Sequence, residues 1–241
     1  RTGRDPIVTA RAGRDALAFA VTVVDPRFRV IKMDVQGGGV AGTVQAFVRV
    51  PPVRQPQLRD LQGRVQAREF AGATALIVGG SRGLGALTAR LLSAGGARLV
   101  VTYAAGRAEA EELAAEINAA NPESCRVLAL DLRGDIAAQV ATLPAEITHL
   151  YYFATPQIFR QKGPVFVPEI LDDFLHFYVH GFYQLHSRLC RATALGASFW
   201  PSTAAVEDHP LSLTEYSMAK RAGEMMCADM MRADPARRIV I

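Results

Sequence analysis

One short segment constrains this 241-residue chain more than any other. Gly79-Gly80-Ser81-Arg82-Gly83-Leu84-Gly85 follows an apolar run, Thr74–Val78, and precedes an alanine- and leucine-rich stretch over 86–94. The run has the length of a buried strand, and the stretch has the spacing of a helix. Glycines between them permit a tight turn and let the main chain approach a ligand closely. The helix start adds unpaired N–H groups and the positive end of a dipole. A strand, a glycine turn and a helix in that order predict a phosphate-binding turn of the dinucleotide type.

The rest of the chain supplies the context such a turn needs. Strand-like segments over 98–103, 126–131, 147–153, 198–201 and 238–241 alternate with helical ones over 107–119, 168–195 and 214–233. With 74–78 this makes six strands, which predicts an α/β fold: a Rossmann-type, doubly wound parallel sheet with helices on both faces. A short N-terminal β segment precedes it. Residues 17–24, 28–35 and 44–50 read as two or three antiparallel strands, separated by the Asp25-Pro26 turn and the Gly37-Gly38-Gly39 triplet. So few strands cannot bury a core alone. Pro51, Pro52 and Pro56 break the pattern, and 57–68 reads as a polar, Arg-rich connector. The predicted domains are therefore 1–70, a β-rich appendage with its connector, and 71–241, the Rossmann-type domain.

The formal charge is +4, with a pI near 9.2. Residues 1–72 hold 12 basic and 6 acidic side chains, so the remainder is slightly acidic. That distribution argues against a nucleic-acid partner. No apolar run is long enough for a membrane span, so no membrane partner is expected. Cys125, Cys190 and Cys227 form no paired motif, which points to a reducing, cytoplasmic compartment. His176 and His180 stand four apart, but no third ligand is suitably spaced and no metal is expected. The paired methionines at 225–226 and 230–231 read as core or helix-packing positions.

Three further positions carry chemistry. No acid stands at the end of the second strand, where Tyr103-Ala104-Ala105-Gly106-Arg107 lies, so nothing there would repel a ribose 2′-phosphate. Arg82 and Arg107 are candidates to bind one, which favours NADP(H) over NAD. Tyr216 and Lys220, four apart in a helix, share one face. A cation beside the phenol favours phenolate and makes Tyr216 a plausible proton donor. Ser202 and Thr203 follow the fifth strand at the carboxyl edge of the sheet, where either hydroxyl could polarise a substrate oxygen.

In this order, the residues from 73 to 241 resemble the short-chain dehydrogenase/reductase superfamily, and most of all its β-ketoacyl reductases. Gly79 to Gly85 resemble the family's TGxxxGxG loop, with Gly79 in the threonine position. The resemblance implies that Asp131, with Leu132 after it, contacts adenine and that Ala154 walls the cofactor pocket. It also implies that Lys220 binds the nicotinamide ribose, Tyr216 donates the proton, and two copies pair through the helix bearing them as a homodimer. There are departures. Phe153-Ala154-Thr155-Pro156 stands where the family has NNAG, Tyr178 stands in place of a relay asparagine, and the chain stops before the family's PG segment. The last of these reads as a fragment, a sequence lacking loops, or a degenerate domain. The N-terminal strands are similar to the last strands of a hotdog-type acyl dehydratase, which implies acyl-carrier-protein or coenzyme A thioesters as partners. Two functions follow as expectations: an NADP(H)-dependent reductase of a small-molecule ketone, foremost a 3-oxoacyl thioester, or an NADP-binding structural or regulatory domain with little turnover. A sugar-nucleotide epimerase would need a further substrate domain, for which 73–241 leaves no room.

Overall fold

The computed structural model describes residues 9–10, 17–26, 30–48, 55–160 and 165–241. The predicted strand end at 49–50 and the prolines at 51 and 52 lie outside them. Contacts divide the chain into two units, Arg1–Arg54 and Gln55–Ile241.

The first unit is a four-stranded antiparallel sheet, β1 (Thr9–Ala10), β2 (Ala18–Asp25), β3 (Val30–Gly37) and β4 (Val40–Phe47), in that spatial order. The glycine triplet is a hairpin rather than a separator. Gly37 pairs with Val40, and Gly38 and Gly39 turn the chain with φ of 57° and 79°. Two positive φ values suit the right-handed twist of the strands and favour glycine. The register sets Val21, Met33 and Val44 side by side, then Val24, Ile31 and Ala46, and places Asp34 beside Thr43 on the alternate rows.

The second unit is built on a six-stranded parallel sheet. Its strands are β5 (Thr74–Val78), β6 (Arg98–Tyr103), β7 (Cys125–Ala129), β8 (His149–Tyr152), β9 (Ala197–Phe199) and β10 (Arg238–Val240). The order β10-β9-β8-β5-β6-β7 reverses between β5 and β8, the topological switch point of a Rossmann sheet. Every residue of β5 is buried. Ala75 and Ile77 face one core with α2 (Gly83–Ala94) and α3 (Arg107–Ala120). Leu76 and Val78 face the other, with α4 (Ile136–Val140), α5 (Pro168–Leu175), α6 (Phe182–Ala192) and α8 (Thr214–Ala233). A continuous apolar run without alternation is what a strand covered on both faces requires. Met226, Met230 and Met231 pack against the second core, while Met225 is exposed.

The segment 57–68 is not a connector. It contains α1 (Leu58–Leu61), whose two leucines are buried. The Leu58 N–H donates to Glu116 Oε1 at 2.7 Å, and Glu116 is paired with Arg90 at 2.7 Å. Tertiary contact thus assigns these residues to the second unit, earlier than the boundary near residue 70 that composition suggests. The helix over 168–195 is interrupted by a six-residue π turn, His176–Gly181, between α5 and α6.

His186 on α6 is 5% exposed and lies against Phe182, with its Nδ1 3.5 Å from Cys190 Sγ. Burial first, then the charge of Arg237, push its pKa down to about 4. The unfolded chain takes up a proton near pH 6.5 and the folded chain does not until about pH 4, so stability rises with pH across that window. Denaturant unfolding is expected to show a loss of about 2 kcal/mol as pH falls from 6.5 to 4. The slope should flatten in His186→Gln.

Candidate active site

At the switch point, the chain leaves β5 through the glycine segment and enters α2. Gly79 has φ of 75°, and a Cβ there would lie 2.9 Å from Ala154 N at the end of β8. At Gly85 a Cβ would lie 2.4 Å from Gly79 O. At Gly80 it would meet Val101 and Ile77 of the core. The turn is therefore closed by contact on three sides, whereas Gly83, with φ of 59°, has nothing within 4 Å. Arg82, extended at φ −154°, precedes α2, and its side chain makes no capping bond. The N–H groups of the first turn thus face an open approach.

This approach is one wall of a cavity of about 650 Å³. Of the predicted residues, Gly79, Ser81, Arg82, Gly83, Leu84, Gly85, Asp131, Leu132 and Ala154 line it. Gly80 faces the core instead. Arg107 does not line it: its Nε is 2.7 Å from Glu111 Oε1, one helical turn on, and this pair holds it along α3. The remaining lining includes Tyr103 to Gly106, Arg133, Phe153, Thr155, Pro156 and Phe177. Gln139 shapes the far end. It accepts the Asp131 N–H at 2.6 Å and donates to the Asp131 carbonyl at 2.9 Å, which fixes the turn after β7. Arg133 lies 4.7 Å above the Phe177 ring and is paired with Asp173, which also holds Arg160. Burial would raise the Asp173 carboxyl, but hydrogen bonds from Arg160 and Arg133 hold it below its ordinary range.

A dinucleotide cofactor suits this lining. The glycines at 79 and 85 make a cradle that a Cβ would fill, and a basic side chain, a carboxylate and a helix N-terminus share one cavity.

The predicted catalytic residues stand beside the cavity rather than in its wall. Tyr216 and Lys220 are buried on α8. Tyr216 makes edge contacts with Phe174, at 5.5 Å, and Tyr178, at 5.7 Å. The Tyr178 hydroxyl is hydrogen-bonded to Thr155 Oγ1, and Thr155 lines the cavity, so one hydroxyl pair joins the two regions. Lys220 Nζ donates to Pro201 O at 2.6 Å and lies 4.0 Å from the Tyr178 ring and 4.3 Å from that of Trp200. Burial pushes its pKa down to about 8, against the raising effects of Cys227 and Glu224. The two candidate hydroxyls differ. Ser202 Oγ donates to Glu224, whereas Thr203 Oγ1 accepts the Ala205 N–H at 3.3 Å and keeps its proton to give. Among the described residues no group of three or more metal-binding side chains is present, and no helix is long and apolar enough to cross a membrane.

Residues 73–152 match the family model of the short chain dehydrogenases. This stretch includes β5, the glycine turn, β6, β7 and β8. That match spans 80 of the 241 residues, and over it the Rossmann-type unit is similar to the short chain dehydrogenases. No curated protein sequence matches the chain. Solved structures resemble this unit in fold. One is the angucycline C-6 ketoreductase LanV with bound NADP, 23% identical, with a TM-score of 0.63 over 72% of this chain and 72% of that one. The promiscuous reductase LugOII, which catalyses keto-reduction at C1 during lugdunomycin biosynthesis, is 24% identical, with a TM-score of 0.63 over 72% and 76%. FolM, an alternative dihydrofolate reductase from Brucella canis complexed with NADP, is 21% identical, with a TM-score of 0.61 over 73% and 72%.

Gly85→Ala places a methyl group against the Gly79 carbonyl and must separate α2 from β5. It is expected to cost about 1–3 kcal/mol in urea unfolding. Gly83→Ala, strained only by its φ, should cost less.

Proposed function

We propose that the second unit is a short-chain dehydrogenase/reductase, an NADP(H)-dependent ketoreductase acting on a small-molecule ketone, with 3-oxoacyl thioesters as the first substrate class. One observation carries the reading. Tyr216 and Lys220 share a face of α8, and Tyr216 is linked through Tyr178 and Thr155 to the cavity lined by the glycine turn. The neighbours whose names record keto-reduction and bound NADP support it.

The residues divide the work as follows. The glycine turn and the start of α2 hold the pyrophosphate, Asp131 and Leu132 meet the adenine, and Ala154 closes the wall. Arg82 meets the 2′-phosphate; Arg107 would have to leave Glu111 to join it. When bound, the cofactor supplies hydride to the carbonyl carbon. Thr203 polarises the carbonyl oxygen with its free proton, since the Ser202 hydroxyl is given to Glu224. Tyr216 donates its proton to that oxygen, and the field of the Lys220 ammonium stabilises the phenolate left behind.

The second reading, a cofactor-binding domain with little turnover, draws on a different observation: Lys220 rests on two rings and a main-chain carbonyl beside the cavity rather than in its wall.

Oxidation of NADPH by 3-oxoacyl thioesters and a panel of ketones tests the proposal. Tyr216→Phe is expected to lower kcat by at least about 100-fold with the cofactor affinity unchanged. Equal rates in the two proteins would remove Tyr216 from the mechanism, and tight NADPH binding with no turnover on any carbonyl would favour the second reading. Arg82→Ala is expected to raise the KM for NADPH by about 10-fold or more and to leave that for NADH nearly unchanged.

A further inference from the structure

The setting of Lys220 is built by residues to which the reductase reading gives no step in the chemistry. The Tyr178 and Trp200 rings meet at 85° with centroids 6.4 Å apart, and the Lys220 ammonium sits in the corner between them, 4.0 Å and 4.3 Å from the two centroids. Both distances lie well inside the range of a cation–π contact, which strengthens where water is excluded. Lys220 is 4% exposed and Trp200 fully buried.

The two rings are also fixed to one another. The Trp200 indole N–H donates to the Tyr178 carbonyl at 3.2 Å. Trp200 fits only because residue 223 is glycine: a Cβ there would lie 2.3 Å from its Cζ2. Tyr178 is stacked on Phe174 at 5.8 Å, and it sits in the π turn, whose extra residue sets its position between α5 and α6. Its hydroxyl is tied to Thr155 on the cavity wall.

We infer that Tyr178 and Trp200 form an aromatic clamp that fixes and orients the Lys220 ammonium, and that the Tyr178–Thr155 hydroxyl pair ties this clamp to the cofactor cavity. Tyr178 and Trp200 are thus positioning residues acting through Lys220. The catalytic role of Lys220 rests on the reductase reading; the clamp itself does not. The groups facing the ammonium are Glu224, Cys227 and Tyr216 from α8, Tyr178 from the π turn, and Trp200 with the Pro201 carbonyl from the loop after β9.

The chain has only three lysines, Lys32, Lys162 and Lys220, so the full chain labelled with [13Cε]lysine gives three assignable signals, identified with Lys32→Arg and Lys162→Arg. The ε protons of Lys220 are expected upfield of the other two, shifted by the ring currents, with a titration midpoint of about 8. Tyr178→Phe keeps the ring and should keep both properties. Tyr178→Leu keeps the burial but removes the attraction, so the upfield shift shrinks and the midpoint falls, by about half a unit or more.

A wild-type Lys220 signal at the position of the other two overturns the clamp. So does a midpoint that rises in Tyr178→Leu, because the ring would then act only as a wall against water. The wild-type spectrum decides even if Tyr178→Leu does not fold, and Trp200→Phe, which offers a smaller face, should show a reduced shift; an unchanged one counts against the clamp. In turnover, the alkaline limb of kcat should move to lower pH in Tyr178→Leu and return in Tyr178→Phe. Ring-shifted Lys220 in a protein that reduces no carbonyl would overturn the reductase reading alone. Normal ketone reduction with an ordinary Lys220 signal would overturn the clamp alone.

Discussion

The close approach of α2 to the end of β5 is the contact on which the second unit depends. The Gly79 carbonyl and the Gly85 α-carbon are near enough that a single added methyl group would lie 2.4 Å from the oxygen. Because Gly79 also meets the main chain at Ala154, the same turn sets the spacing between the two halves of the sheet where their order reverses. The direction of α2, and with it the line of unpaired N–H groups, follows from this packing. The cavity exists because three elements converge there, and their convergence is limited by backbone rather than by side chains.

Legibility in the sequence followed the range of the interactions. The strand β5, the glycine turn and the span of α8 are local matters of apolar runs and periodicity, and the structure places them where those signals do. The same holds for Tyr216 and Lys220, whose shared face is a consequence of helical geometry. Arg107 opens α3, a position that suits a phosphate equally well, but Glu111, one turn away, supplies a nearer partner. Arg133, Thr155 and Phe177 enter the cavity from three separate segments, and no pattern within any one segment marks them. The helix α1 is only four residues long, too short for periodicity, and its place depends on Glu116, far along the chain. The mutual fit of Trp200 and Gly223 is likewise a matter of two distant positions, although a glycine inside an otherwise unbroken helix is a signal that something bulky lies across it.

In the loop after β9, two neighbouring hydroxyls are given different partners by contacts further away. Arg221 joins Glu224 to Glu207, and its guanidinium also reaches the Val206 carbonyl. These contacts hold the short helix α7 (Ala205–Asp208) against α8 and leave Glu224 placed to accept the Ser202 hydroxyl. Ser202 belongs to this support, and Thr203, one residue on, turns the chain into the helix. Two adjacent hydroxyls thus differ in their bonds: one donates to Glu224, and the other accepts the Ala205 N–H.

The π turn has a consequence for how the chain tolerates change in length. Across 168–192 the helix carries one residue more than a regular helix of the same rise would, and Phe174, Tyr178, Phe182, Leu185 and Leu189 all still point into the core. Removing one residue between His176 and Gly181 would let the helix close into regular form with the same rise, so α5 and α6 would keep their relative rotation. Leu185 and Leu189 would still face the core, and the loss would fall on Tyr178, which sits within the π turn. The segment thus takes up a change of one residue in length locally, without turning the helix that follows.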